Sequence, residues 1–273
     1  MATATQTAGA PPADPIVVQV RSAAKKRRLT FRVQFVLTWI LLIGGLILLM
    51  ASGGNGLDGA FIATWAPFIL GGAGTTVIIA VLAIIGAVLL AIVGALGRLS
   101  TNGWIYGAAT LYVSLVRGTP LLVQILFAYL ALAELGLVLP IFVAGTGALA
   151  FNYGAYITEI FRAGIQAVPR GQREAAEALG MPERTVFRRI VLPQAFRIVT
   201  PAIGNEFIAM LKDTSLVSII GVTELLWRAQ AAGRPNVRIF EAILVAAGIY
   251  WVLTIIFSYF QERLEQRMAR SDR

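Results

Sequence analysis

Between residues 168 and 195 the chain reads VPRGQREAAEALGMPERTVFRRIVLPQA, a long polar connection between two apolar stretches. Its punctuation predicts two short helices. The first covers about 170–179; it starts just after Pro169 and carries Glu174 near its positive N-terminal end. Gly180 stands where a left-handed residue closes a helix, and Pro182 suits the first position of the next one. In the second helix Phe187, Ile190 and Val191 share one face, while Arg184 and Arg188 lie four apart on another. That helix is expected to end before Pro193. A compact helix–turn–helix with an apolar stripe suits a groove on a soluble partner, and Ala175 and Ala176 are small enough to permit close approach. A hairpin resting on a membrane surface through its arginines is the other reading.

On either side of this connection the chain is strongly apolar. Of its 273 residues 58% are hydrophobic and 14% charged, against roughly 25% charged in soluble domains; the mean hydropathy is +0.77. This excludes disorder, a coiled coil and a water-soluble core. With no cysteine and no histidine, disulfide scaffolds, zinc and haem sites, and His-based catalysis are excluded as well.

A helix crosses a bilayer in roughly 20 apolar residues. Six segments qualify: 33–51, a stretch between Asp58 and Arg98 with a strong helix near 68–96, 104–133, 138–161, 200–222 and 240–260. The expected fold is therefore an all-α integral membrane bundle of about six transmembrane helices. The 33–51 run is too long for a signal-peptide core and lacks a small-residue cleavage site after it, so it reads as a retained span. Six basic residues precede residue 33, Arg98 follows the second span, seven arginines fall in 162–197, and four follow residue 262. These are 18 of the 23 Lys and Arg, and they put both termini in the cytoplasm. Only Arg228, Arg234 and Arg238 fall outside. Residues 1–32 read as a flexible basic tail, attracted to anionic lipid rather than to nucleic acid, and 263–273 as a second basic tail.

The hairpin residues carry a resemblance. Glu174-Ala175-Ala176, three residues, Gly180, nine residues, then Ile190-Val191-Leu192-Pro193 resembles the EAA loop of ATP-binding-cassette (ABC) importer permeases. SLVRGTPLLVQ at 114–124, YGAYITEIFRAGIQAVPRGQREAAEALG at 153–180 and LKDTSLVSIIGVTEL at 211–225 are similar to the polar amino-acid branch of that superfamily, which transports His, Glu, Gln, Arg and opines. The resemblance covers roughly 64–262 and leaves the tail and the first span as an extension; members with five spans are common in this branch. It implies a type I importer in a bacterial plasma membrane. Such an importer has two permease subunits, identical or not, two ABC ATPase subunits and an extracytoplasmic solute-binding protein. It also implies that loop 163–199 holds the coupling helices, with Glu174, Ala175, Ala176 and Gly180 as the ATPase-coupling residues. The chain itself is then no enzyme and needs no cofactor. A P-loop requires Gly-Lys followed by Ser or Thr, and none of Lys25, Lys26 and Lys212 follows a glycine.

Ionisable groups within a span cost at least ~2.5–3.5 kcal/mol each on insertion scales, so they face a cavity or a partner. Arg117 is followed by Gly118, Thr119 and Pro120, a sequence that breaks a helix where the charge sits. On the fifth span Asn205 and Lys212, seven apart, share one face, and Glu206 and Asp213 form a second pair beside it; Thr214 and Ser215 extend the polar patch. Gln124, Asn152, Tyr153 and Glu159 lie on neighbouring spans, Glu159 with Arg162 at the cytoplasmic end, where they are suited to positioning the loop. The set contains the anion and the cation partner that a zwitterionic amino acid needs. The bland reading is a set of interhelical contacts, such as an Arg117–Asp213 ion pair, holding the bundle together. A stand-alone channel or secondary transporter is the alternative function; it would leave the two-helix loop unexplained.

Overall fold

The computed structural model describes residues 15–52 and 56–270, which fall into two units divided after Asp58. In the first unit α1 runs Pro15–Ser52. Residues 15–32, expected within a flexible tail, are therefore helical: Pro15 presets the first turn, and Ala, Lys, Arg and Leu in SAAKKRRL favour helix. Residues 1–14 of that expected tail lie outside the described residues. The apolar stretch Arg27–Gly45 is exposed along its length, with Phe31, Phe35 and Trp39 in ring contact one turn apart.

The second unit is all helical. It comprises α2 (Gly59–Leu70), α3 (Gly72–Arg98), α4 (Gly103–Gly118), α5 (Leu121–Leu126), a π turn (Phe127–Ala131) and α6 (Leu132–Glu134). There follow α7 (Ile141–Gln166), α8 (Arg170–Ala178), α9 (Glu183–Val186), a second π turn (Phe187–Val191) and α10 (Leu192–Asp213). A 3₁₀ segment (Thr214–Ile220), α11 (Leu225–Gly233) and α12 (Ile239–Arg270) complete it. Helix α12 thus carries the expected C-terminal tail to Arg270, because QERLEQRMAR is rich in helix formers.

Three described stretches are apolar and long enough to cross a membrane, Arg27–Gly45, Gly59–Arg98 and Ile239–Met268, and the pair Gly103–Gly118 with Leu121–Glu134, bent by 108°, makes a fourth. Helices α7 and α10, of 26 and 22 residues, have the length, about 39 and 33 Å at 1.5 Å per residue, but carry polar groups.

Small side chains bring the central helices together. Ala80, Ala83, Ala87, Ala91 and Gly94 recur every three or four residues on α3 and are buried against α7. A Cβ on Gly94 would collide with Thr158, and one on Gly72 would lie 2.8 Å from the backbone of Leu225. This core continues onto α5, α10 and the 3₁₀ segment through Ile125, Leu149, Ile157, Met210 and Val217. A second core joins α2, α11 and α12 around Phe61, Ile69, Leu225 and Ala246.

The structure departs from two expectations of helix length. The second hairpin helix does not stop before Pro193 but runs on into α10. Proline removes the N–H that an α pattern would use and crowds the preceding turn. The turn widens instead, and Leu192 N–H donates to Phe187 O, five residues back. The fifth span, expected to reach 222, is α-helical only to Asp213; it tightens to 3₁₀ and closes at Gly221, whose φ of +96° suits glycine.

Candidate functional site

The break predicted at Arg117–Pro120 is present. Helix α4 ends at Gly118, Thr119 and Pro120 are extended, and the chain turns by 108° into α5. Such a break frees carbonyls, which in a bilayer need internal partners. Gln124 supplies them: its Nε2 donates to Val116 O and to Thr119 Oγ1, each at 2.8 Å, while Thr119 Oγ1 donates to Leu115 O at 3.0 Å. Asn152 Nδ2 on α7 donates to Gln124 Oε1 at 3.1 Å and ties the corner to the core. Arg117 is left exposed at the corner, its guanidinium carbon 5.3 Å from the Tyr156 ring centroid.

Facing that corner is the end of α10. Asp213 Oδ2 accepts from the Tyr153 hydroxyl at 2.8 Å, and Glu206 lies two turns earlier on the same face. Arg117, Asn152, Tyr153, Tyr156, Glu206 and Asp213, with the backbone of the break, line an open cavity of about 500 Å³. It holds one cation and two carboxylates, and no Arg117–Asp213 ion pair forms among the described residues. The volume lies within the range of small-molecule sites.

At the other end of α7 a half-buried ionic cluster leads to the hairpin. Glu159 accepts from Arg98 at 3.1 Å and from Arg162 at 2.7 Å, tying the end of α3 to α7, and Arg98 donates to Thr110 on α4 at 2.6 Å. Helix α8 then packs against α9, the second π turn and the start of α10. Val168, Ala176, Val186, Val191 and Ala195 form a small core of their own, with Phe187 and Ile190 against it. Gln194 Nε2 bridges Gln172 Oε1 at 2.8 Å and Ile190 O at 3.0 Å, and Arg173 donates to Ile165 O at 2.8 Å. Gly180, φ +77°, closes α8, its N–H donating to Glu177 O and that of Met181 to Ala176 O. Because the second hairpin helix runs unbroken into α10, the hairpin and the two carboxylates sit on one continuous helical stretch, Glu183–Asp213.

A broken span, a folded polar hairpin and a direct helical connection from that hairpin to the carboxylates at the cavity are the geometry of a membrane transport subunit. Residues 87–270 match the family described as the binding-protein-dependent transport system inner membrane component. The chain belongs to that family. The arginine transport system permease protein ArtQ of Bacillus subtilis is 38% identical over 207 residues, covering 76% of this chain and 94% of that protein. The L-cystine transport system permease protein TcyB of the same organism is 38% identical over 205 residues, covering 75% and 88%. A solved amino acid ABC transporter, crystallised with histidines, is 40% identical with a TM-score of 0.74, covering 77% of this chain and 99% of that one. The type I ABC importer permease fold is thereby established for this chain, and the stand-alone channel reading gives way.

Not every candidate residue of this permease meets at the cavity. Arg117, Asn152, Tyr153, Glu206 and Asp213 line it, and Gln124 braces it. Lys212 is exposed and does not line it; Asn205 accepts from Gln261 of α12 at 2.9 Å instead. Thr214 is fully buried and donates to Leu211 O at 2.8 Å, and Ser215 lies in the 3₁₀ turn, its carbonyl accepting from Ser218 at 2.6 Å. The physical reason is rotational: neighbouring residues on a helix point about 100° apart, so only one of the two seven-spaced pairs can face the cavity. In the hairpin, Glu174, Ala175 and Gly180 are exposed, but Ala176 is 2% exposed, so its small size serves the hairpin's own core rather than a partner. Tyr156 was not singled out by sequence; its signal was its place one turn after Tyr153. Leu179, 83% exposed beside Gly180, was also missed.

Proposed function

We propose that this permease moves a polar amino acid inward across a bacterial plasma membrane, driven by ATP hydrolysed on two separate ABC ATPase subunits. The observation that carries the reading is the cavity of about 500 Å³ with Arg117 on one wall and Glu206 and Asp213 on the other. Arg117 is suited to an α-carboxylate and one acid to an α-ammonium group. The second acid leaves the site with a net negative charge, which favours a substrate with a cationic side chain. The relatives named for arginine and L-cystine transport support the amino-acid class.

In this reading α8 and Gly180 meet the ATPase, with Glu174 and Ala175 on the exposed face and Ala176 holding the hairpin together. The continuous stretch Glu183–Asp213 carries ATPase closure to the carboxylates as a rigid lever. A second permease subunit, of the same or a paralogous chain, completes the pathway, and an extracytoplasmic binding protein delivers the substrate. The basic residues before residue 33, in the hairpin and after residue 262 favour cytoplasmic termini.

The test is reconstitution. The permease is purified with its co-expressed ATPase, placed in liposomes and assayed for uptake of labelled arginine and labelled glutamate. ATP-dependent uptake with arginine preferred is expected. Flux without ATP would favour a channel, and a preference for glutamate would overturn the charge argument.

A further inference from the structure

Four helices in the described residues end in the same hydrogen-bond pattern, in which one N–H reaches back three residues and the next reaches back five. At Gly136, Gly180 and Gly221 the residue in the turn is glycine, with φ of +86°, +77° and +96°. At the fourth, between α11 and α12, it is Val237, with φ +54°, the only described residue other than glycine with positive φ. Val237 N–H donates to Arg234 O at 3.2 Å and Arg238 N–H to Gly233 O at 2.9 Å, so the turn is fully formed around it. A β-branched residue is strained in this conformation, where glycine costs nothing. Nor does the side chain serve the fold, because it is 89% exposed.

The turn is set between packed helices and flanked by two arginines, of which Arg238 pairs with Glu241 at 3.2 Å. Glu224 caps α11 by accepting from Trp227 N–H at 2.8 Å and also accepts from the Tyr250 hydroxyl. Leu225 is fully buried against Gly72. Arg234, exposed beside Val237, donates to the neutral Gln230 side chain at 2.7 Å, and both border a hollow of about 240 Å³ with Trp227 and Pro235. Helix α12 runs antiparallel to α10, with Gln261 bonded to Pro201 and Asn205 and Phe257 against Phe207, so the turn that starts α12 at Ile239 lies away from the hairpin end of α10.

We propose that Val237 is an anchor with which the permease engages the solute-binding protein, inserting into an apolar dimple whose acidic rim meets Arg234. The proposal rests on the importer reading above. An exposed hydrophobe held by strain on a rigid platform is preorganised for a pocket, and a flanking cation selects an acidic partner.

The substitution Val237→Gly tests it directly, because glycine relieves the turn and the variant does not suffer in folding. The permease–ATPase complex in liposomes is titrated with the binding protein encoded alongside it, and ATPase stimulation is read. Val237→Gly is expected to raise the half-maximal binding-protein concentration about tenfold with basal ATPase unchanged. Arg234→Gln is expected to raise it less and to flatten its dependence on salt. A half-maximal concentration within twofold of the wild type for Val237→Gly, with the wild type normally stimulated, overturns the anchor alone. A wild-type complex that no binding protein stimulates overturns the importer reading and the anchor with it.

Discussion

The Tyr153 hydroxyl donates to Asp213 Oδ2 at 2.8 Å, joining two helices across 60 residues of sequence at the wall of the cavity. Hydrogen bonds to a charged group contribute about 1.5–3 kcal/mol, and this one fixes the direction in which the carboxylate faces. Tyr153→Phe keeps the ring in its packed position and removes only the hydroxyl. The affinity of the purified permease–ATPase complex for labelled arginine is expected to fall about tenfold, and the melting temperature to drop by a few degrees.

Gln124 is the brace of the broken span. Gln124→Leu leaves Val116 O without its donor and deprives Asn152 Nδ2 of its acceptor. Unmet buried polar groups cost about 1–3 kcal/mol each. A lower melting temperature in detergent is expected, together with lower uptake. Gln124→Glu keeps the size but not the N–H donors and is expected to behave alike; full stability in both variants would remove Gln124 from this role.

Neighbouring alanines in the hairpin have opposite duties. Ala176 is buried in the hairpin core and Ala175 is exposed. Ala176→Leu overpacks that core, at a cost of about 1–3 kcal/mol, and is expected to increase protease sensitivity in 163–199 as well as to weaken ATPase co-purification. Ala175→Trp is expected to weaken co-purification alone. Gly180→Ala forces a side chain into the left-handed region at about 1–2 kcal/mol and is expected to resemble the Ala176 variant.

Glu159 serves two arginines at once. Removing its charge by Glu159→Gln breaks the contacts to Arg98 and Arg162 and is expected to destabilise the bundle by about 2 kcal/mol. A thermal double-mutant cycle checks the coupling: Arg98→Met should cost less in the Glu159→Gln background than alone.

Much of this was legible in the sequence for local reasons. Gly118-Thr119-Pro120 announced the broken span because Pro120 lacks an N–H donor and biases Thr119 to the extended backbone it adopts, and Gly180 announced the hairpin turn because glycine tolerates the left-handed backbone that closes a helix. Pro193 misled because the chain had a second solution, a wider turn, that keeps Val191 and Ala195 on either side of the proline buried in the hairpin core. The pair Glu206 and Asp213 could be found by spacing but not separated from Asn205 and Lys212, since a rotation of about 100° is set by tertiary packing such as the Gln261–Asn205 contact. Ala176 looked like a docking residue because small size reads the same whether the close neighbour is a partner or the hairpin itself. Helix α11 and the strained Val237 had no sequence signal, because valine is an ordinary residue until its φ is known.

The adjacent residues Lys212 and Asp213 test the central claim most directly, one exposed away from the cavity and one on its wall. ATP-driven uptake of labelled arginine into liposomes is measured for Lys212→Gln and Asp213→Asn. The account expects Lys212→Gln to stay within about twofold of the wild type and Asp213→Asn to lose at least about tenfold, a difference of about 1.4 kcal/mol. Equal losses in both, or loss in Lys212→Gln with Asp213→Asn active, would contradict it.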